Sequence, residues 1–169
     1  HAEAWKTLAG DAAKKLGAEK GIADPQKDEK CFKCHVTGFG LEADQFDKKF
    51  DKTAGVQCES CHGPGGLHAT MQQVDGKLAQ VIRFGKDSAA SVEAQNGACL
   101  GCHTADTGFA AHGGAHEDNN VTCAGCHQLH STSDAVLATS TQAGKCYECH
   151  TQSKSDSFKA YSHPLREGK

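Results

Sequence analysis

The ten cysteines of this chain form five C-x-x-C pairs, and a histidine directly follows each pair. The motifs are CFKCH (31–35), CESCH (58–62), CLGCH (99–103), CAGCH (123–127) and CYECH (146–150). Paired cysteines occur in disulfide frameworks, in zinc sites and in covalent haem attachment. Disulfides would explain the cysteines but not the histidines. A four-cysteine zinc site needs no trailing histidine, and five pairs cannot be matched two by two.

The remaining chemistry is c-type haem, for which C-x-x-C-H is the attachment signature. Both thiols bond to the vinyl positions of the porphyrin, and the adjacent histidine reaches the iron from one face. The sequence therefore predicts five covalently attached c-type haems. The attachment cysteines are Cys31, Cys34, Cys58, Cys61, Cys99, Cys102, Cys123, Cys126, Cys146 and Cys149, and the iron-binding histidines of the motifs are His35, His62, His103, His127 and His150.

The second axial position of each iron decides between catalysis and electron transfer. Six histidines lie outside the motifs and could fill five such positions: His1, His68, His112, His116, His130 and His163. The single methionine, Met71, belongs to an apolar stripe, and a lysine must lose its proton before it binds iron. We expect four of the distal ligands to be His1, His68, His130 and His163. The fifth is one of the remaining two.

Two apolar stripes with helical spacing predict the elements that position these residues. A linking helix is predicted from Leu67, Met71, Val74, Leu78 and Val81, interrupted only by Gly76. A first helix is predicted from His1, Trp5, Leu8, Ala12 and Leu16. Polar residues and glycine dominate elsewhere, without a convincing alternating strand. The predicted fold class is mainly α with extensive loops, organised around a chain of five haems, with little or no β-sheet.

The long gap between the second and third motifs predicts the domain organisation. We expect a two-haem N-terminal part with the linking helix over 1–95 and a three-haem part over 96–169, which together form one continuous haem-cored domain. The net charge of −3 gives no footprint for nucleic acid. No apolar run approaches the roughly 20 residues of a membrane helix, so no membrane span is predicted.

His130 lies three residues after the motif histidine His127. If a helical turn joins them, both side chains lie on the same side of the backbone. His127 would already occupy that face of its own haem. We therefore predict that His130 binds the iron of a different haem.

The array resembles the periplasmic and extracellular multihaem c-type cytochromes. The segment HAEAWKTL…CFKCHVTGFG…GVQCESCHGPGGLHA is similar to the paired-haem segment of the tetrahaem cytochromes of ammonia oxidisers. The segment GACLGCH…GGAHEDNNVTCAGCHQLHS…GKCYECHTQ…SHPLREGK is similar to the pentahaem electron donor to nitrite reductase and to the decahaem cytochromes of outer-membrane conduits. The resemblance covers most of the chain.

The resemblance implies a particular set of distal ligands. A histidine about seven residues before a cysteine pair, and another three residues after the haem histidine, match His116 and His130. His163 matches the histidine before a proline, and His1 and His68 match the distal histidines of the first segment. The resemblance favours His116 over its neighbour four residues earlier, and it implies porphyrins in near contact, in alternating stacked and angled pairs.

Five bis-histidine, low-spin haems would be closed to substrate. We therefore expect electron transfer outside the cytoplasm rather than catalysis, as in anaerobic or extracellular respiration. The expected partners are a quinol oxidase or cytochrome donor and a terminal reductase or extracellular acceptor. Two alternatives remain: a protomer of an extracellular cytochrome filament with ligand exchange between subunits, and a reductase of a small nitrogen or sulfur oxyanion. The expected location is periplasmic or extracellular, as a secreted bacterial or archaeal protein whose signal peptide has been removed.

Overall fold

The computed structural model describes residues 1–71, 73–74, 77–78, 81–104 and 114–161. Within these ranges short helices joined by loops account for nearly all regular structure, which confirms the prediction of a mainly α, loop-rich fold with little sheet. The α-helices are α1 (Ala4–Thr7), α2 (Asp11–Glu19), α3 (Glu29–His35), α4 (Cys58–His62), α5 (Gly66–Ala69), α6 (Val92–Leu100), α7 (Ala115–Asp118), α8 (Cys123–Cys126), α9 (Thr139–Cys146) and α10 (Thr151–Asp156). Two 3-10 helices span Ala43–Gln45 and Lys52–Ala54, and two strands span Gln73–Val74 (β1) and Lys77–Leu78 (β2).

The predicted first helix is broken into two. Helix α1 ends at Thr7, and α2 begins after Gly10, whose extended backbone (φ −74°, ψ 161°) turns the chain between them. Leu8, at the break, is buried, whereas Leu16 is 52% exposed. The prediction of a single continuous helix over this stripe was therefore wrong, because the apolar residues of the stripe do not share one buried face.

The predicted linking helix was also wrong. Helix α5 ends at Ala69, and Met71 follows with a positive φ of 56° and 70% of its surface exposed. Strand β1 then pairs with β2 in an antiparallel register that places Gln73 opposite Leu78. Asp75-Gly76, between the strands in sequence, lies outside the described residues. In a sequence such a pair is a strong hairpin signal, and it agrees with the antiparallel pairing of the two described strands.

The polypeptide alone builds little apolar core. In the described part of the chain, the buried apolar side chains are Leu8, Ile22 and Val36, and none of the described residues has a side chain that is fully enclosed. Large apolar side chains such as Leu137 and Phe158 are more than half exposed. So small a core among the described residues is consistent with the predicted haems, which would supply apolar mass that side chains lack.

The chain divides into two compact units. The first comprises His1–Arg83 and Ser88–His112, and the second comprises Phe84–Asp87 and Gly113–Lys169. The polypeptide thus groups the first three motifs in one unit and the last two in the other. The expected grouping of the haems, two over 1–95 and three over 96–169, stays a prediction. Among the described residues, none of the helices is both long and apolar enough to cross a membrane.

Candidate haem-binding site

Each C-x-x-C-H motif forms one helical turn. The first two motifs lie inside α3 and α4. In the other three, the histidine N–H donates to the carbonyl of the first cysteine, over 3.0 Å at His103, 2.9 Å at His127 and 3.0 Å at His150. Residues three and four apart on a helical turn lie on one face. Both thiols and the imidazole of a motif therefore face the same side, as attachment to one porphyrin requires.

Two of the motif histidines are oriented by backbone carbonyls. His35 Nδ1 donates to the carbonyl of Ala4 over 2.6 Å, and His62 Nδ1 donates to that of Ile82 over 2.6 Å. Because a carbonyl only accepts, the proton of each neutral ring is on Nδ1 and the lone pair is on Nε2. This is the tautomer and orientation that a metal-binding histidine adopts.

A carboxylate orients the histidine of the fourth motif. His127 Nδ1 donates to Asp134 Oδ2 over 2.8 Å. The bond from His127 is the main reason why the pKa of Asp134 lies below its usual value, and the backbone N–H of Val136 contributes too. The carboxylate therefore stays ionised at neutral pH, and His127 Nε2 is left to bind a metal.

The thiols of the first and third motifs lie against each other's backbone. Cys34 Sγ is 4.0 Å from the carbonyl oxygen of Cys102, and Cys102 Sγ is 3.7 Å from that of Lys33. Burial, followed by the Cys34 side chain, raises the pKa of the Cys102 thiol to about 11. Groups attached at these two cysteines would therefore be close neighbours.

Three further motif thiols also have raised pKa values. Burial is the main cause that raises the pKa of Cys31, Cys61 and Cys126. These thiols therefore hold their protons more tightly than an exposed cysteine does. None of the ten cysteines forms a disulfide in this structure. All ten thiols are therefore in the reduced form that thioether attachment to a porphyrin requires.

Two imidazole pairs have the separation of opposed ligands on one metal ion. The ring centroids of His1 and His103 are 6.0 Å apart, with an interplanar angle of 88°. Those of His116 and His150 are 5.8 Å apart, at 65°. A metal–imidazole bond is about 2.0 Å and the ring radius about 1 Å, so opposed imidazoles have centroids about 6 Å apart. Each pair joins a motif histidine to one of the predicted distal histidines.

The N-terminal segment that carries His1 is fixed by backbone contacts. The His1 carbonyl accepts from the N–H groups of Ala4 and Val56, over 2.9 and 3.3 Å. Gly55 has a φ of +76°, and a Cβ added there would lie 2.7 Å from the Ala2 carbonyl oxygen. Only glycine allows this approach without displacement of the segment. The position of His1 thus depends on a loop more than fifty residues away.

Thr37 ties the first motif to the second. Its hydroxyl donates to the Gly55 carbonyl over 3.1 Å, accepts from the Gln57 N–H over 2.7 Å, and lies 2.9 Å from Ser60 Oγ. The residue is buried, at 6% exposure. Because Gln57 directly precedes Cys58, these bonds fix the start of the second motif relative to the end of the first.

The other predicted ligands are less closely defined. His68 and His130 are exposed, and each makes a contact with its surroundings. Helix α8 ends at Cys126, and His127 has extended backbone (φ −85°, ψ 136°). The helical turn assumed between His127 and His130 was therefore wrong, and binding of His130 to a different haem stays a prediction without that support. His112 and His163 lie outside the described residues.

Sequence reasoning missed the residues that orient the motif histidines. Ala4 and Ile82 act through their carbonyls, so their side chains give no signal. The Ser-Asp-Ala-Val sequence around Asp134 indicates a turn, but nothing in it points to His127. Gly55 was recognisable as a candidate turn glycine, although its contact partner was not.

Two protein-family models match segments of the chain that contain the C-x-x-C-H motifs. The family model described as "Cytochrome c-type protein NrfB-like" matches residues 58–149, and the one described as "Cytochrome c554 and c-prime" matches residues 1–63. The multiheme cytochrome MtrA of Shewanella baltica (strain OS185) is 37% identical over 153 residues, which are 87% of this chain and 44% of MtrA. Cytochrome c-554 of Nitrosomonas europaea is 40% identical over 70 residues, which are 38% of this chain and 29% of that protein.

The chain thus spans less than half the length of either curated relative. The NrfB-like match alone covers more than half of this chain. Together with the five motifs, it shows that the chain belongs to the multihaem c-type cytochromes, whose haem is bound covalently.

Proposed function

We propose that the chain binds five c-type haems and conducts electrons through them one at a time. The observation that carries the proposal is the helical turn at every C-x-x-C-H motif, which directs two thiols and one imidazole to a common face. The described residues fit the cofactor in a second way, since Nδ1 bonds leave Nε2 of His35, His62 and His127 available for iron.

We assign two of the distal ligands from the ring geometry. His1 serves the haem attached at Cys99 and Cys102, and His116 serves the haem attached at Cys146 and Cys149. The centroid separations of 6.0 and 5.8 Å support both assignments. The distal ligands of the remaining irons, at His35, His62 and His127, are His68, His130 and His163.

Bis-histidine ligation determines the chemistry. With an imidazole from the chain on each face, the iron would have no open position for a substrate, and the haem would supply one-electron transfer. Two imidazoles also give a lower reduction potential than a histidine–methionine pair. The contacts between the first and third motifs, at Cys34 and Cys102, support near contact between neighbouring porphyrins. Electrons would then pass from haem to haem within the chain.

We place this conductor outside the cytoplasm, in the periplasm or on the cell exterior. It would take electrons from a quinol oxidase or another cytochrome and give them to a terminal reductase or an extracellular acceptor. The similarity to the multiheme cytochrome MtrA supports that role. The filament alternative required terminal histidines that reach a neighbouring subunit. The ring of His1 faces His103 of the same chain, which supports a single-chain conductor.

A reductive titration combined with a turnover assay tests the proposal. We expect the oxidised protein to take up five electrons per chain, one per C-x-x-C-H motif. The reduced protein should pass them rapidly to a soluble Fe(III) chelate, without catalytic reduction of nitrite, hydroxylamine or tetrathionate. Sustained turnover of one of these oxyanions or of hydroxylamine would favour the reductase alternative, and uptake of fewer electrons would contradict the five-haem conductor.

A further inference from the structure

The hydrogen bond of His127 differs in kind from those of His35 and His62. The latter two donate Nδ1–H to neutral backbone carbonyls. His127 donates to the Asp134 carboxylate. A bond to an ionised acceptor is roughly twice as strong as a neutral one, and the acceptor takes a larger share of the proton. The imidazole of the fourth motif is therefore the more electron-rich of the three.

Two hydrogen bonds fix the Asp134 carboxylate beside the His127 ring. Asp134 Oδ1 accepts the N–H of Val136 over 3.1 Å, while Oδ2 accepts from His127. The Asp134 carbonyl accepts the N–H of Leu137 over 3.0 Å. The Asp134 side chain is 11% exposed and that of His127 33%. A surface ion pair would be solvated and mobile, whereas this turn directs the carboxylate at Nδ1.

We propose that Asp134 is a positioning residue that lowers the reduction potential of the haem attached at Cys123 and Cys126, acting through His127. Reduction adds one electron to ferric iron and gives ferrous iron. A more basic imidazole stabilises the ferric state, because the ligand donates more charge to the higher oxidation state. This haem then resists reduction more than it would with a carbonyl acceptor at Nδ1. The inference rests on the proposed haem at the fourth motif.

Substitution of Asp134 by asparagine tests the inference, because the amide oxygen still accepts a hydrogen bond but carries no charge. In a spectroelectrochemical titration of the holoprotein, we expect one of the five one-electron components to move to higher potential. The expected change is about tenfold in the equilibrium constant for reduction, which is 59 mV for one electron. The other four components should stay in place.

The matched control is Asp156→Asn, which removes the same charge from a carboxylate that binds Lys159 and Gln152 instead of a histidine. We expect no single component to move in this variant. Equal small shifts of all components in both variants would overturn the inference, since they would report net charge alone. An unchanged titration of Asp134→Asn would overturn it too.

Haem stoichiometry separates this inference from the proposed function. If Asp134→Asn binds five low-spin haems and none of its redox components moves, the role of Asp134 is refuted and the proposed electron conductor remains. Wild-type protein with fewer than five haems would instead refute the conductor. If Asp134→Asn does not load its haems, the titration of Asp134→Ser, in which a water can accept from Nδ1, decides by the same criterion.

Discussion

Removal of the His116 imidazole should open one haem and leave the other four closed. Substitution of His116 by alanine deletes the ring that lies 5.8 Å from the ring of His150, centroid to centroid. Two metal–nitrogen bonds of about 2.0 Å and two ring radii of about 1 Å account for that separation. Because His116 is the distal ligand that we assign to the haem of His150, that iron would become five-coordinate or bind water.

The fraction of haem that should change spin state follows from the number of motifs. One haem of five, about a fifth of the total, should change from low-spin to high-spin. Electron paramagnetic resonance of the oxidised variant measures this fraction directly. After reduction, the open iron should bind carbon monoxide with a stoichiometry of one per chain. Added imidazole should restore the low-spin signal, because it can occupy the position that His116 has left.

The matched control is His112→Ala, four residues earlier in the same segment. It removes a histidine that we expect to be no ligand, so its spectrum should remain entirely low-spin. A His116→Ala variant that stays low-spin with five haems bound would refute the pairing with His150. A high-spin haem in His112→Ala would show that His112, and not His116, is the distal ligand.

Two further predictions concern the segments that hold the ligands. Gly55→Ala should displace the His1–Ala2 segment and give a partly high-spin haem, because the new Cβ would meet the Ala2 carbonyl oxygen at 2.7 Å. Gly21→Ala, with a similar φ of +69° but open space around it, should only lose about 1 kcal/mol of stability in urea unfolding and keep its spectrum. A normal spectrum for Gly55→Ala would show that His1 does not depend on this contact. Thr37→Val should lose about 1–3 kcal/mol in the same assay, because the partly buried Gln57 N–H loses its acceptor. Thr70→Val, an exposed position, should change stability little, and equal losses in both variants would argue against a specific role of Thr37.

The chemistry was predictable from sequence because it depends on local spacing. A histidine four residues after a cysteine returns to the same side of a helical turn, so the C-x-x-C-H motifs determine their own geometry. The predominance of short helices and the near absence of sheet were predictable for a similar reason, since glycine and polar residues separate the apolar stretches.

The two predicted helices failed because apolar spacing was taken as a sign of burial. Leu16 and Met71 belong to such stripes, but both are more than half exposed among the described residues. If five porphyrins supply most of the apolar mass, as we propose, side chains pack on the cofactor or remain exposed, and periodicity loses its usual meaning. The Asp-Gly pair at 75–76 was the more reliable local signal.

The orientation of the ligands could not be predicted, because it depends on contacts between distant segments. His35 is oriented by a carbonyl 31 residues earlier and His62 by one 20 residues later. Backbone carbonyls occur at every position, so sequence gives no reason to select Ala4 or Ile82. The approach of the His1 and His103 rings to 6.0 Å likewise depends on how the first unit folds.

The central claim, five closed bis-histidine haems on one chain, is tested most directly by quantitative electron paramagnetic resonance of the fully oxidised holoprotein. We predict low-spin ferric signals that integrate to five spins per chain, one per C-x-x-C-H motif. The nearly perpendicular rings of His1 and His103 should give one of them strong anisotropy. A high-spin signal equal to a whole haem, or a total below five, would contradict the account.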